Sequence, residues 1–85
     1  MPYRISVTKK AKGDIDALEH VVRERLGKKL LLIAKLNDIR PVARQLVDSR
    51  IGEYRIRIGD YRVLFDLVGN EIVILRVQHR KDVYK

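Results

Sequence analysis

Three arginines lie within one short stretch of the chain at spacings that suit the binding of an anion. Arg55 and Arg57 alternate with apolar residues, and Arg62 follows on the far side of a Gly-Asp pair. If Gly59 and Asp60 form a two-residue turn between antiparallel strands, Arg57 lies directly opposite Arg62. Like charges placed in this way destabilise a sheet, and a bound anion would offset their repulsion. We therefore expect an anion site on this surface, which we call the arginine face (Arg55, Arg57 and Arg62).

A solvated sheet surface is the competing interpretation of the arginine face. In that case its side chains would extend into water or pair with Glu53 and Asp66. We favour the anion site because guanidinium groups that are clustered cannot be neutralised by losing a proton.

The C-terminal stretch adds groups that can move protons or bind phosphate. His79 and Tyr84 can donate or accept a proton, and Arg80 offers a further guanidinium fork. Beside the arginine face, these groups are suited to breaking an RNA phosphodiester bond. Arginines would stabilise the charge on the pentacoordinate phosphorus, His79 would transfer a proton, and Tyr84 would stack on a base.

The position of His79 depends on the register of the last strand. A second two-residue turn at Gly69–Asn70 would pair Val68 with Glu71 and Leu64 with Leu75. This register places Val77 and His79 on the arginine face, and it places Arg76 on the other face, near the sheet edge, in a structural role. A β-bulge would exchange the two sets.

The overall charge supports a polyanionic partner. Lys and Arg number 19 against 11 Asp and Glu, which gives a net charge of +8. Such an excess favours nucleic acid or the ribosome, because phosphate contacts release counterions. Eight of the arginines but only two of the lysines fall within residues 39–85, so the second half of the chain is the expected working surface.

Several classes of protein and site are disfavoured. The chain has no cysteine, and His20 has no second ligand at metal-binding spacing, so we expect neither a metal nor a cofactor. Asp14 and Asp16 do not share a helix face and are interpreted as surface charges. No apolar stretch approaches the roughly 20 residues of a membrane span, and the N-terminus alternates, which indicates a cytoplasmic protein.

The elements that position these groups follow from periodicity. Alternation at Tyr3, Ile5 and Val7 predicts a first strand. Helical spacing over residues 9–37 is too long for one helix in so small a chain, so we predict an antiparallel pair. Gly27 is the stronger candidate for the break, and Glu19–His20 is the alternative.

After a connector over residues 39–50, three strands are predicted at 53–58, 61–67 and 71–78. They would form an antiparallel meander, which gives an α+β fold of order β-α-α-β-β-β within a single domain over 1–85. The helices would pack on one sheet face, formed by Tyr54, Ile56, Ile58, Tyr61, Val63 and Phe65.

The segment YRIRIGDYRVLF followed by VQHRKDVYK resembles RelE-type toxins of the RelE/ParE superfamily, and the element order is similar over nearly the whole chain. The resemblance implies a toxin that enters the ribosomal A site and cuts mRNA as a metal-independent endoribonuclease. In that reaction the ribose 2′-OH attacks the adjacent phosphate and leaves a 2′,3′-cyclic phosphate and a 5′-OH. It also implies a cognate antitoxin protein as partner.

The resemblance also implies roles for individual residues. Arg55 and Arg57 match two basic positions on the first central strand, and Arg62 matches an arginine that binds the scissile phosphate. Arg80 falls near an arginine assigned to catalysis, and Tyr84 matches a tyrosine that stacks on the mRNA base.

The general base is left open by this match. The best-studied bacterial member has lysines where this chain has Arg55 and Arg57, and an arginine effectively cannot accept a proton. His79 is the first candidate, Glu53 the second, and a ribosomal group the third.

Two other functions remain as alternatives. A ParE-like toxin would bind and poison DNA gyrase without cutting RNA, although it would not require the arginine face together with His79, Arg80 and Tyr84. A degenerate toxin would bind ribosomes but cut poorly. The ribonuclease is favoured because the set concentrates groups suited to phosphoryl transfer.

Overall fold

The computed structural model describes residues 2–39, 44–45 and 54–83. Within these residues, five strands form one sheet in the order β1-β5-β4-β3-β2, and β1 runs parallel to β5 while the other neighbours are antiparallel. The elements are β1 (Arg4–Val7), α1 (Lys9–Asp16), α2 (His20–Ala34), β2 (Arg44–Gln45), β3 (Tyr54–Ile58), β4 (Tyr61–Val68), β5 (Glu71–His79) and α3 (Arg80–Val83). The predicted α+β class is confirmed. The short strand β2 and the short helix α3 were not predicted from the sequence.

Two glycine-containing turns build the meander. Gly59 and Gly69 have φ of 59° and 60°, the left-handed conformation that glycine adopts at little steric cost. The turns at Gly59–Asp60 and Gly69–Asn70 join strands that end and begin within a residue or two of the predicted positions. The register of β3 with β4 is the predicted one, with Ile58 paired to Tyr61 and Arg57 to Arg62.

The helical region divides at the alternative position. α1 ends at Asp16 and α2 begins at His20, so the prediction of a break at Gly27 is wrong and the turn near Glu19–His20 is confirmed. Glycine costs only about 1 kcal/mol inside a helix. Burial of Leu26 and Leu30 on either side of Gly27 favours a continuous α2.

The helices cover one face of the sheet. Tyr54 stacks on Phe65 with ring centroids 5.5 Å apart, and the predicted core face is buried or packed against the core throughout. The buried cluster joins residues of both helices and the sheet: Ala11, Leu26, Leu30, Ile33, Ile39, Ile56, Ile58, Val63, Phe65, Ile72, Ile74 and Val77. The arginine face is therefore turned away from the helices.

A bulge interrupts the pairing of β4 with β5. Phe65 pairs with Ile74, but Leu64 pairs with Arg76, so Leu75 is the extra residue. The predicted pairing of Leu64 with Leu75 is wrong. The bulge lets Ile74 and Val77, which are three residues apart, both enter the core, so the prediction that Val77 lies on the arginine face is wrong.

Of the helices within the described residues, none has the length and apolar character needed to cross a membrane.

Candidate functional site

The arginine face is formed as the sequence predicts. Arg57 and Arg62 are directly opposed on β3 and β4, and Arg55 lies two residues back on β3, opposite Leu64. Ile56 and Ile58, which alternate with Arg55 and Arg57, are buried in the core. Alternation therefore directs the arginines to the other face. Arg57 is exposed, and Arg55 and Arg62 are half-buried.

The bulge adds a residue that the sequence analysis did not include. Gln78 pairs with Arg62, so Arg57, Arg62 and Gln78 form a row across β3, β4 and β5. The amide of Gln78 can both donate and accept hydrogen bonds, unlike the arginines. No apolar spacing in the sequence indicated the bulge, because residues 72–75 are apolar without a break.

Arg76 also changes face, but its guanidinium is held by α1. Its Nε donates to Asp14 Oδ2 at 2.8 Å and its Nη2 donates to Asp14 Oδ1 at 3.4 Å, while the Val77 N–H donates to Oδ2 at 3.0 Å. The predicted structural role of Arg76 fits this pair, although the predicted face is wrong. The prediction that Asp14 is a surface charge is wrong, because its side chain is only 20% exposed.

The environment of Asp14 favours the ionised carboxylate. Burial raises the pKa of the carboxyl, but the hydrogen bonds from Arg76 and the Val77 N–H, together with the charges of Arg76 and Lys10, outweigh burial. The pKa of Asp14 is therefore lower than its usual value. This carboxylate joins α1 to the strand that leads into His79 and Arg80.

His79 does not lie on the arginine face, so that prediction is wrong. The bulge pairs it with Tyr61, and the two rings meet edge to face with centroids 5.0 Å apart. The backbone N–H of Lys81 donates to His79 Nδ1 at 3.1 Å. The backbone N–H of Arg80, the residue directly after His79, donates to the carbonyl of Asp60 in the β3–β4 turn at 2.7 Å.

These contacts bring Arg80 to the end of the sheet where Arg57 and Arg62 lie, because all three are close to the Gly59–Asp60 turn. Arg80 is exposed. Tyr84 and Glu53 fall outside the described residues, so their roles remain predictions.

The basic surface continues from Arg57 onto α2. A groove of about 590 Å³ opens there, and it is lined by Val21, Glu24, Arg25, Lys28, Lys29, Leu32, Arg57, Ile58 and Gly59. The charged groups in this lining are four cations and one carboxylate, that of Glu24. A polyanion that bound the arginine face would meet further positive charge as it passed over this groove.

The described part of the chain contains no group of three or more His, Cys, Asp or Glu side chains that could hold a metal ion. The fixed charges of the arginine face can stabilise an anion or a developing negative charge. They cannot accept a proton, so a reaction that moves a proton at this surface would need other groups.

Comparison with known proteins gives one family. The model described as "ParE toxin of type II toxin-antitoxin system, parDE" matches residues 5–84. Toxin RelE3 of Methanocaldococcus jannaschii is 48% identical over 31 residues, which are 36% of this chain and 35% of that protein. The match thus spans about a third of that relative.

The fold is similar to solved toxin structures. The toxin–antitoxin complex RelBE2 from Mycobacterium tuberculosis matches with a TM-score of 0.80 and 27% identity, covering 94% of this chain and 93% of that one. The isolated RelE toxin of E. coli matches with a TM-score of 0.72 and 23% identity over 96% of this chain and 90% of that one. The second likeness shows the fold alone.

Proposed function

Because the chain belongs to the RelE/ParE superfamily of toxins from type II toxin–antitoxin systems, we propose that it is a ribosome-dependent endoribonuclease that cleaves mRNA and inhibits translation. The observation that carries this proposal is the direct opposition of Arg57 and Arg62 on β3 and β4. A phosphate between them would receive charge-assisted hydrogen bonds from two sides and would relieve their repulsion.

The proposed reaction is an attack within the RNA strand. The 2′-oxygen bonds to the adjacent phosphorus and loses its proton to a base. The bond from phosphorus to the 5′-oxygen breaks, and this oxygen gains a proton. The products are a 2′,3′-cyclic phosphate and a 5′-OH.

The arginine face supplies electrostatic stabilisation in this reaction. Negative charge grows on the non-bridging oxygens as phosphorus becomes pentacoordinate, and donors already fixed in place stabilise it most. The strand register holds the backbones of Arg57 and Arg62 at fixed positions, and Arg55 extends the charge along β3. Gln78, opposite Arg62, adds an amide for a phosphate or ribose oxygen.

Arg80 and Tyr84 complete the proposed site. Arg80 begins α3 beside the β3–β4 turn and supplies a further cation to the scissile phosphate or its neighbour. Tyr84 stacks on an mRNA base, which would hold the nucleotide next to the cleaved bond.

A cognate antitoxin is the proposed inhibitor. The M. tuberculosis structure similar to this chain is a toxin–antitoxin complex. A chain with a net charge of +8 is suited to an acidic partner that covers the arginine face and excludes RNA.

The test is cleavage of mRNA on purified ribosomes that hold a defined codon in the A site. We expect primer extension to show cuts within that codon, with 5′-OH ends on the downstream fragment. Arg62→Ala is the control with strongly reduced activity, and the antitoxin should abolish cleavage by the unmodified toxin.

The same protein should be tested on DNA gyrase, because the matching family model is described as a ParE toxin. Intact mRNA together with gyrase-dependent DNA breaks would overturn the ribonuclease and establish the gyrase alternative. Intact mRNA and unaffected gyrase, with tight ribosome binding, would establish the degenerate toxin.

A further inference from the structure

The junction between β5 and α3 is built around His79. This residue ends β5, and α3 starts at the next residue, Arg80. The first N–H groups of a helix have no acceptor inside the helix and need one from outside. The imidazole of His79 supplies an acceptor for the N–H of Lys81, and the carbonyl of Asp60 supplies one for the N–H of Arg80.

From this geometry we propose that His79 is a positioning residue: it caps α3 and holds Arg80 at the arginine face, and it is not the base that takes the 2′-OH proton. The proposal rests on the proposed function only for the role of Arg80 in cleavage. The capping itself is a property of the folded chain.

The hydrogen bond from Lys81 fixes the chemical state of the imidazole. A backbone N–H can only donate, so His79 Nδ1 must accept with its lone pair. The proton of the neutral ring then lies on Nε2. The ring has no other lone pair with which to accept a proton. Acting as a general base would therefore require His79 to break its own cap.

The contact with Tyr61 fixes where the cap lies. Tyr61 precedes Arg62 on β4 and is the register partner of His79. The edge-to-face contact of the two rings, with centroids 5.0 Å apart, limits the orientation of the imidazole. The strand that carries Arg62 therefore also supports the residue that positions Arg80.

The two roles for His79 respond differently to asparagine. The Asn side chain is among the best helix caps because its oxygen accepts from the first turn, but it cannot act as a base near neutral pH. His79→Asn should cleave mRNA on ribosomes within about threefold of the unmodified rate, whereas His79→Ala should lose about 5- to 10-fold, as expected for a missing cap. A general base would lose about 10²- to 10⁴-fold in both variants. That result would overturn the proposal.

A double-mutant cycle tests whether His79 acts through Arg80. If it does, His79→Ala should add little to the loss caused by Arg80→Ala, because the positioned group is already gone. Fully additive losses would overturn the positioning role. His20→Ala is the matched control, since the ring of this exposed histidine pairs with Glu24 on α2, with 3.2 Å between Nε2 and Oε1.

A readout without RNA separates this proposal from the proposed function. Amide hydrogen exchange at Lys81 should accelerate in His79→Ala and stay slow in His79→Asn, and nitrogen NMR should find the ring proton of His79 on Nε2. Equal exchange in all three proteins, or a proton on Nδ1, would overturn the cap. Absence of cleavage by the unmodified protein would instead overturn the proposed function, while exchange still decides the cap.

Discussion

Arg57 and Arg62 are directly opposed on the neighbouring strands β3 and β4, on the sheet face opposite the side chains of the hydrophobic core. Repulsion between paired like charges costs a sheet roughly 0.2–1 kcal/mol relative to a neutral pair. Burial of the residues that alternate with these arginines, among them Ile56 and Val63, stabilises the same strands. We therefore expect the fold to tolerate replacement of one of these arginines.

Arg62→Ala should abolish most activity while leaving the fold intact. Loss of a fixed donor to the pentacoordinate phosphorus should cost about 2–4 kcal/mol of transition-state stabilisation, a rate loss of about 30- to 1,000-fold. Single-turnover cleavage on saturated ribosomes measures the rate, and thermal unfolding measures the fold. Arg23→Ala, which removes an exposed arginine from α2, is the control and should cleave normally. Full activity of Arg62→Ala would remove this residue from the mechanism.

Asp14 should make stability depend on acid pH. Its pKa in the folded protein lies below the usual value of 3.8, so its contribution is fully present at neutral pH. The contribution is lost as the pH falls from 3.8 through the lower folded value. Asp14→Asn should lower the free energy of unfolding by about 1–3 kcal/mol at pH 7, because Arg76 and the Val77 N–H lose their charged acceptor. The difference should shrink in acid.

Urea unfolding at a series of pH values measures this effect, and Asp16→Asn is the matched control. Asp16 lies on the same helix but is exposed, and its ion pair with Lys12 spans 3.6 Å at the surface. Its replacement should change stability by no more than about 0.5 kcal/mol. Equal losses for the two variants at all pH values would show that the Asp14–Arg76 pair has no special role.

Gly27→Ala should stabilise the protein. Gly27 lies inside the continuous α2, and a methyl group there would meet no atom within 4 Å. Alanine should therefore raise the free energy of unfolding by about 0.4–1 kcal/mol through its lower backbone entropy in the unfolded chain. Gly59→Ala is the opposite control, because its φ of 59° should make alanine cost roughly 1–2 kcal/mol. Destabilisation by Gly27→Ala would contradict the continuous helix.

Gly27 also illustrates what the sequence could not decide. A single glycine is a weak local signal, and the tertiary contacts made by Leu26 and Leu30 outweigh it. The turns at Gly59 and Gly69 were predictable because their residues suit a two-residue hairpin and are flanked by alternating strands. The turns, which have a strong local signal supported by long-range strand pairing, were predicted correctly. The helix break, which rested on one isolated glycine, was not.

The candidate site was predictable in its β3–β4 half only. Arg55, Arg57 and Arg62 follow from a period of two and one tight turn. His79 lies beyond the bulge at Leu75, and one extra residue moves every later side chain to the other face. The Asp14–Arg76 pair joins residues far apart in the chain, and no local pattern indicates it.

Free toxin should cut purified unstructured RNA far more slowly than ribosome-bound mRNA. The described part of the site offers fixed cations, and its arginines cannot accept the 2′-OH proton. Its arginines are exposed or half-buried, so a flexible RNA can meet them in many orientations. The ribosome can hold the 2′-oxygen in line with the scissile bond, and such orientation is worth about 7–11 kcal/mol in the most favourable cases.

The comparison requires one RNA sequence presented both free and in the ribosomal A site, with the toxin in excess so that each rate reports a single turnover. We expect the ribosome to accelerate cleavage at the A-site codon by several orders of magnitude, since orientation acts on the chemical step itself. Arg62→Ala should slow both reactions by a similar factor, because phosphate stabilisation is needed in each. Rapid cleavage of free RNA by the protein alone would contradict the requirement and would point to a complete acid–base set within the toxin.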